Sequence, residues 1–172
     1  MIVRDLVEAD IPAITAIYNQ LIAETDVIWL EEPVTVADRT AWLHGLRPDD
    51  AALAAVDDDG TVIGYAAIFP FRAKAGYWPT VELTIMLHQH HRGAGAGQAL
   101  MDELISRARA AGRAVMIAGI DGGNTGSMRF HQRNGFREVA RMPGVGRKHG
   151  NPLDLVLMQL SLSPAYPGTD QT

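Results

Sequence analysis

Residues 81–100 read Val-Glu-Leu-Thr-Ile-Met-Leu-His-Gln-His-His-Arg-Gly-Ala-Gly-Ala-Gly-Gln-Ala-Leu, which combines a strand, a basic turn and the start of a helix. The strand carries one carboxylate, Glu82, and the turn places glycines at alternate positions, 93, 95 and 97. Glycines lack the Cβ atoms that would keep a ligand away from the backbone. The unpaired amides and the dipole of a helix start bind anions, and Arg92 adds a fixed positive charge. The stretch therefore predicts a phosphate or pyrophosphate site beside a strand with a candidate base.

The composition predicts a single globular domain. With 47% apolar and 20% charged residues, a chain of 172 residues is long enough for one core and too short for two ordinary domains. The net charge of -5 argues against a general nucleic-acid or anionic-membrane surface, and the lack of cysteine excludes disulfides and thiolate metal sites. Residues 1–5 are too charged for a signal peptide, and no apolar run reaches membrane-spanning length. We therefore expect a soluble, cytoplasmic protein whose partners are neither nucleic acids nor membranes.

Apolar periodicity and turn residues predict an α/β fold. Strands are expected at 2–4, 51–56, 61–69, 80–87, 114–120, 136–141 and 153–160. Helices are expected at 8–23, 35–46, 95–111 and 124–133, the first of them capped by Asp10. Three consecutive strands with short turns predict an antiparallel meander, and the later strand–helix–strand crossings predict parallel pairs. The result is a mixed central β-sheet with helices on both faces, in one domain over residues 1–162, with residues 163–172 as a flexible tail.

The residues alone leave the class of nucleotide site open. No Gly-Lys-Ser/Thr follows the glycines as in a Walker loop, and no glycine falls at the sixth position of the Rossmann pattern. Asp121 ends the next predicted strand, where a ribose-binding acid would stand, so a dinucleotide site stays open, as does a glycine-rich turn without a ligand. His88, His90 and His91 have a spacing that does not bring three imidazoles together, so no metal is expected.

The segment from Arg92 to Gly97 resembles the Gln/Arg-x-x-Gly-x-Gly/Ala acetyl-CoA motif of the GNAT N-acetyltransferases, and the predicted element order is similar to theirs. Asn124, Ser127 and the Asn134-Gly-Phe ending fit the family's following helix. Within the family, the chain is most similar to the phosphinothricin and methionine sulfoximine acetyltransferases, in segments 16–19, 80–82, 115–120, 129–131 and 142–148. The resemblance implies the GNAT fold, acetyl-CoA as cosubstrate, a homodimer, and acetylation of the α-amino group of a small amino-acid-like molecule.

The resemblance also assigns site residues. Glu82 becomes the general base, and His131 takes a slot that in many relatives holds a tyrosine, where it orients or protonates the departing thiolate. The cofactor-binding set is Leu83, Ile85, Leu87, Arg92, Gly93, Ala94, Gly95, Ala96, Gly97, Gln98, Asn124 and Ser127. The substrate-binding set is Trp29, Arg72, Lys74, Tyr77 and Lys148, in which Arg72 would bind the substrate carboxylate with both ends of its guanidinium.

Two other functions stay open from the sequence. Another amine acceptor, such as a protein N-terminus or a polyamine, would keep the chemistry and change the pocket. A non-catalytic sensor would bind acyl-CoA without turning over any amine. One pocket side chain is enough to change the acceptor, so the sequence does not name it.

Overall fold

A computed structural model describes residues 1–91 and 93–163 of the chain. Its strands are β1 (Ile2–Asp5), β2 (Ala51–Val56), β3 (Val62–Pro70), β4 (Thr80–Leu87), β5 (Val115–Asp121), β6 (Arg137–Lys148) and β7 (Asn151–Ser161). Its helices are α1 (Ile11–Glu24), α2 (Val36–His44), α3 (Ala96–Ala110) and α4 (Thr125–Arg133). Every predicted strand and helix is present, and β6 continues beyond its predicted end to Lys148. Arg92 and residues 164–172, most of the predicted tail, lie outside the described residues.

The strands form one mixed sheet with the order β1-β2-β3-β4-β5-β7-β6. The antiparallel meander of β2, β3 and β4 is confirmed, as is the parallel pairing of β4 with β5 across α3. The parallel pair expected from the second crossing is wrong, because β7 lies between β5 and β6 and is antiparallel to both. Val156 and Met158 of β7 are buried, whereas β6 is mostly exposed, so the more apolar strand takes the inner position.

The two faces of the sheet carry different layers. Alternate residues of β4 point to opposite faces. Val81 and Leu83 pack in a core that α3 covers, whereas Met86 packs with the α1 and α2 core over β2 and β3. Glu82 lies an even number of residues from Met86 and therefore shares the α1 face. Among the described residues, this α1 and α2 core contains none from β5 or β7.

The start of α1 differs from the prediction in one detail. Asp10 does precede the helix, but its side chain makes no capping hydrogen bond to the helix amides. Its carboxylate instead accepts hydrogen bonds from the Arg4 guanidinium at 2.6 and 2.8 Å and from the Val7 amide at 2.9 Å. Asp10 therefore ties β1 to α1, because a buried carboxylate is better satisfied by a fixed cation than by helix amides alone.

Among the described helices, none is long and apolar enough to cross a membrane.

Candidate active site

The sheet opens into a fork between β4 and β5. The ladder that joins them ends at the rung between Leu83 and Ala118. Beyond that rung β4 continues to Leu87, paired with β3, and β5 continues to Asp121, paired with β7. The two facing edges therefore present backbone groups that no described strand uses. A cavity of about 460 Å³ occupies the fork.

Both faces of the sheet contribute to the wall of this cavity. From the α1 side come Leu21, Thr25, Val27, Thr84 and Met86. The α3 side and the loops around the fork contribute Leu83, Ile85, Leu87, Gly93, Gly97, Ala118, Ile120, Asn124, Gly126, Ser127, Phe130 and His131. Strand β5 adds Gly119 and Asp121 on the face of Glu82. The cavity thus passes through the sheet. Eight residues of the predicted cofactor and catalytic sets line it, namely Leu83, Ile85, Leu87, Gly93, Gly97, Asn124, Ser127 and His131.

The glycine turn places free helix amides at the mouth of the fork. Gly95 precedes α3 with a φ of 87°, a left-handed conformation that glycine adopts without strain. The first α3 hydrogen bond runs from the Ala99 amide to the Gly95 carbonyl at 3.0 Å, so the amides of residues 96–98 have no partner within the helix. The side chain of Gln98 bonds to Asn134 at 2.6 Å, which leaves only its backbone amide for a ligand.

Gly97 brings α3 close to the end of β4. A Cβ atom at this position would lie 3.3 Å from Leu87 Cδ1 and 3.8 Å from the Phe130 ring. The glycine therefore serves packing as well as backbone access. Ala94, Gly95, Ala96 and Gln98 are not among the residues that line the cavity, and the position of Arg92 lies outside the described residues.

The start of α4 supplies the opposite wall. Asn124 is the N-cap, and its Oδ1 accepts a hydrogen bond from the Ser127 amide at 3.0 Å. This use of the side-chain oxygen leaves the Asn124 amide nitrogen for a ligand. Ser127 lies one turn before His131 on the same helix face. The sequence analysis predicted Ser127 and His131 on this helix, and both residues line the cavity.

His131 is buried with one ring nitrogen used and the other free. Its Nδ1 lies 2.9 Å from the Ser127 carbonyl, and because a carbonyl only accepts, Nδ1 carries the hydrogen. The lone pair is then on Nε2, which is buried and has no partner among the described residues. Burial lowers the pKa of His131, although the bond to the Ser127 carbonyl acts in the opposite direction. Near neutral pH the side chain is therefore a neutral acceptor on the α3 side of the fork.

Glu82 lies next to the fork on the other face. It is half-buried, and its strand neighbours are Phe69 on β3 and Ile117 on β5. Its Oε1 lies 3.4 Å from the point where a Cβ atom of Gly119 would be, and Gly119 lines the cavity. Burial raises the pKa of the Glu82 carboxyl, and the charge of Arg72 acts against that rise. A carboxylate with a raised pKa beside a cleft is well suited to accept a proton.

The predicted substrate residues of the β3–β4 loop are exposed. The Arg72 guanidinium lies 3.9 Å from the centroid of the Phe71 ring, and its NH1 donates to the Phe71 carbonyl at 2.8 Å. Tyr77 makes an edge contact with the same ring at 6.0 Å, and Lys74 is exposed nearby. Arg72 thus has a fixed position close enough to influence Glu82. None of these loop residues lines the cavity itself.

Lys148, which the sequence predicts in the substrate set, is buried with its ammonium group bonded inside the protein. It is only 2% exposed, and its ammonium group donates to the carbonyls of Ile22, Thr25 and Ile28 at 2.6, 2.5 and 3.0 Å. All three donors of the ammonium group are therefore used inside the protein. These partners are 120 to 126 residues away in the chain, so no local pattern pointed to them. Trp29, also predicted at the substrate site, lies against Gly146, where a Cβ atom would overlap its ring.

Sequence reasoning missed the contribution of β5 and of the end of α1 to the cavity wall. Gly119, Leu155 and Leu157 share the face of Glu82, and the α1 side adds Leu21, Thr25 and Val27 to the cavity wall. One local signal was present, because a glycine inside an apolar strand marks a close approach by a ligand or another group. The other residues look like ordinary core positions in the sequence.

The histidines after β4 pack against one another. The ring of His88 lies 5.3 Å from that of His90 and 5.6 Å from that of His91, measured between centroids. Within the described residues, no group of three or more histidine, aspartate or glutamate side chains is arranged to hold a metal ion.

Comparisons with known proteins show the family and the fold. The chain matches the model of the acetyltransferase (GNAT) family over residues 14–136. It is 44% identical over 163 residues to the L-methionine sulfoximine/L-methionine sulfone acetyltransferase of Pseudomonas paraeruginosa. That alignment covers 94% of this chain and 95% of the relative. A phosphinothricin acetyltransferase from Sinorhizobium meliloti, solved with acetyl-CoA, has a TM-score of 0.91 at 34% identity, covering 98% and 93% of the two chains. A ribosomal-protein-alanine N-acetyltransferase from Brucella melitensis has a TM-score of 0.90 at 39% identity, covering 94% and 99%.

Proposed function

Because the chain belongs to the GNAT acetyltransferase family, we propose that it transfers the acetyl group of acetyl-CoA to the α-amino group of a small amino-acid-like substrate. The substrate class is that of methionine sulfoximine, methionine sulfone and phosphinothricin, for which its relatives are named. One observation carries the proposal: the fork between β4 and β5 opens directly beside the half-buried carboxylate of Glu82. In this proposal the fork holds the thioester in position for attack by the substrate amine. The carboxylate beside the fork removes the ammonium proton that keeps the substrate nitrogen from attacking.

The cofactor fits the α3 side of the fork. Edge groups of residues 83–87 would hydrogen-bond the pantetheine arm as an added strand does, which uses the backbone that the fork leaves unpaired. The amides of residues 93–98, with the charge of Arg92, would hold the pyrophosphate. The Asn124 amide nitrogen and Ser127 contact the same molecule across the cleft. A strand amide near Ile85 would stabilise the negative charge that develops on the thioester oxygen.

The chemistry removes two protons from the substrate nitrogen and adds one to the sulfur. Glu82 accepts the first proton from the substrate ammonium. The freed amine attacks the thioester carbon, and the carbon–sulfur bond breaks as the carbon–nitrogen bond forms. The nitrogen then releases its second proton, which balances the proton that the leaving thiolate takes up directly or through water. A thiol has an ordinary pKa of about 8.5, so the leaving thiolate takes a proton from water or from a nearby donor without a strong acid. His131, with its lone pair on Nε2, is arranged to accept a hydrogen bond in the cleft. We therefore assign it to orientation of the bound molecule.

The acceptor lies on the α1 side. Arg72 has a fixed guanidinium near Glu82, and a substrate carboxylate bound there would place the neighbouring α-amino group toward that base. Lys74, Tyr77 and Trp29 complete the proposed substrate set at the rim. Lys148 acts only by holding the end of α1.

We also propose that the enzyme is a cytoplasmic homodimer. The edge strand β6 exposes Val139, Met142 and Val145, with 52%, 40% and 51% of their surfaces accessible. Apolar side chains at a sheet edge are a common surface for self-association. Sedimentation of the wild type and of Val145→Asp tests this, and a wild type that sediments as a monomer at micromolar concentration contradicts it.

A thiol-release assay tests the proposed reaction. Acetyl-CoA is mixed with methionine sulfoximine, methionine sulfone, phosphinothricin, a peptide that begins with alanine, or spermidine. Turnover on the first three and little on the last two is the expected result. Preference for the peptide would favour the protein N-terminus as acceptor, to which the Brucella relative's name points. Acetyl-CoA binding without turnover on any amine would favour an acyl-CoA sensor.

A further inference from the structure

Gly119 lies in the interior of β5, directly after the last rung of the β4–β5 ladder. Its neighbours Ala118 and Ile120 are buried on the α3 side, whereas Gly119 is exposed and lines the cavity. Glycine weakens a strand because it has no side chain to pack and loses much conformational freedom on folding. Its presence at this point therefore calls for a reason other than strand stability.

The fold does not require glycine at this position. A Cβ atom here would lie 3.4 Å from Glu82 Oε1, 3.6 Å from Leu155 Cδ1 and 4.0 Å from Leu157 Cδ2. These are ordinary van der Waals separations, and the φ of Gly119 lies outside the left-handed region. An alanine would therefore fit without displacing a neighbour.

The missing side chain keeps a passage open. Glu82 lies on one side of it, and Leu155 and Leu157 of β7 form a half-buried apolar floor on the other. Both leucines are half-buried, and neither belongs to the described core that α1 and α2 cover. A substrate amine must give a proton to Glu82 and then reach a thioester in the fork, and the space over Gly119 is where those two points meet.

On the premise of the function proposed above, we infer that Gly119 is a specificity-determining residue for the acceptor. Its bare backbone lies under the reacting amine and the neighbouring carbon, while Leu155 and Leu157 contact the apolar part of the acceptor side chain. A methyl group at position 119 occupies volume that the amine needs, and it leaves the glycine turn that holds the cofactor phosphates unchanged. Larger side chains at position 119 occupy more of this volume.

The test uses the full chain with Gly119→Ala, Gly119→Ser and Gly119→Val. Acetyl-CoA affinity is measured by calorimetry, acceptor kinetics by thiol release, and folding by thermal denaturation. Because one misplaced methylene in a pocket changes kcat/KM by about 10–200-fold, alanine should lower kcat/KM for the acceptor by at least about tenfold. The loss should increase from alanine to valine. The Kd of acetyl-CoA and the Tm of the alanine variant should stay close to those of wild type.

The outcomes separate this inference from the function on which it rests. An active wild type whose Gly119→Ala variant keeps its acceptor kcat/KM overturns the role of Gly119 alone. Equal losses of acetyl-CoA affinity and acceptor kcat/KM overturn it too, since Gly119 would then belong to the cofactor wall. A wild type that acetylates no amino-acid analogue overturns the proposed function, and the acceptor role of Gly119 falls with it.

Discussion

The ammonium group of Lys148, at the end of β6, donates to the backbone carbonyl of Ile22 in the last turn of α1 at 2.6 Å. The last carbonyls of a helix lack partners within the helix, and a cation there also complements the helix dipole. The same ammonium group holds Thr25 and Ile28, and His149 donates its amide to Glu31 at 2.7 Å. The β6–β7 hairpin thereby fixes the loop after α1, which carries Thr25 and Val27 of the cavity wall.

Lys148→Met should lower the free energy of unfolding by about 2–4 kcal/mol, because it leaves buried carbonyls without a donor. Thermal and urea denaturation measure the change. Arg147→Met is the matched control, since Arg147 is the exposed neighbour on the same strand and should change stability by less than about 0.5 kcal/mol. Equal stability of the two variants would contradict the structural role of Lys148.

Glu82→Gln keeps the shape of the side chain and removes its basicity, so kcat should fall by about 10²–10⁴. Burial raises the pKa of Glu82 above its ordinary 4.5, so the acidic limb of the wild-type pH–rate profile should lie above that value. The limb should vanish in the variant. Glu103→Gln, on α3 away from the fork, should keep the wild-type profile. Persistence of the limb in Glu82→Gln would assign it to another group.

The raised pKa of Glu82 also predicts a change in stability. Between 4.5 and the folded-state value, the folded protein binds more protons than the unfolded chain, so stability falls as pH rises through that window. Glu82→Gln removes this loss and should raise the Tm at neutral pH. A lower Tm in the variant would mean that the ionised carboxylate is stabilised by partners in the folded protein.

His131 should make stability depend on pH in the opposite sense. Its pKa is lowered from 6.5 by burial, so between the folded-state value and 6.5 the unfolded chain binds more protons. The contribution of His131 to the free energy of unfolding should therefore be fully present above pH 6.5. It should be lost as the pH decreases through that window. His131→Asn keeps an N–H group near the Nδ1 position and should flatten this part of the curve. Parallel curves for the two proteins would contradict the prediction.

The same variant tests the catalytic part of His131. An orienting acceptor should be worth less than the roughly 10²-fold of a general acid, so kcat of His131→Asn should fall by less than that factor. A larger loss, together with loss of a basic limb in the pH–rate profile, would show that a protonated His131 delivers the proton to sulfur.

The glycine turn should be tested with two glycines in matched conformations. Gly95 and Gly60 have φ values of 87° and 83°, and a Cβ atom at either position would meet nothing within 4 Å. Alanine should therefore strain both positions by a similar amount, about 1–2 kcal/mol. Only Gly95→Ala should raise the KM for acetyl-CoA, since Gly60 lies in the remote β2–β3 turn. An equal effect of both, or of neither, would contradict a phosphate site at residues 93–98.

Arg72→Lys keeps the charge and loses the planar guanidinium group, which binds a carboxylate through two hydrogen bonds. The variant should therefore have a lower kcat/KM for an acceptor with a free carboxylate and an unchanged affinity for acetyl-CoA. The informative pair is methionine sulfoximine and its carboxamide, assayed with both proteins. Wild type should prefer the acid, and the variant should lose most of that preference. A wild type that acetylates both equally would show that the carboxylate is not recognised.

The local features of this protein were predictable from short stretches of its sequence. Apolar periodicity and turn residues located the seven strands and four α-helices of the described residues, and the glycines at 93, 95 and 97 identified the helix start that holds free amides. Glu82 was recognisable as one carboxylate in an apolar strand. These features depend on residues close together in the chain, where propensity and spacing carry the information.

The way in which the strands meet depends on contacts between distant parts of the chain. The fork exists because β5 pairs with β4 over four rungs and with β7 over seven, and the choice of β7 over β6 rests on which strand buries more apolar surface. The burial that lowers the pKa of His131 depends on the elements packed around α4. Gly119 faces Glu82 because separate strands lie side by side, and Lys148 reaches carbonyls more than a hundred residues earlier. Such contacts depend on the energy of packing the whole chain, which no short window of sequence contains.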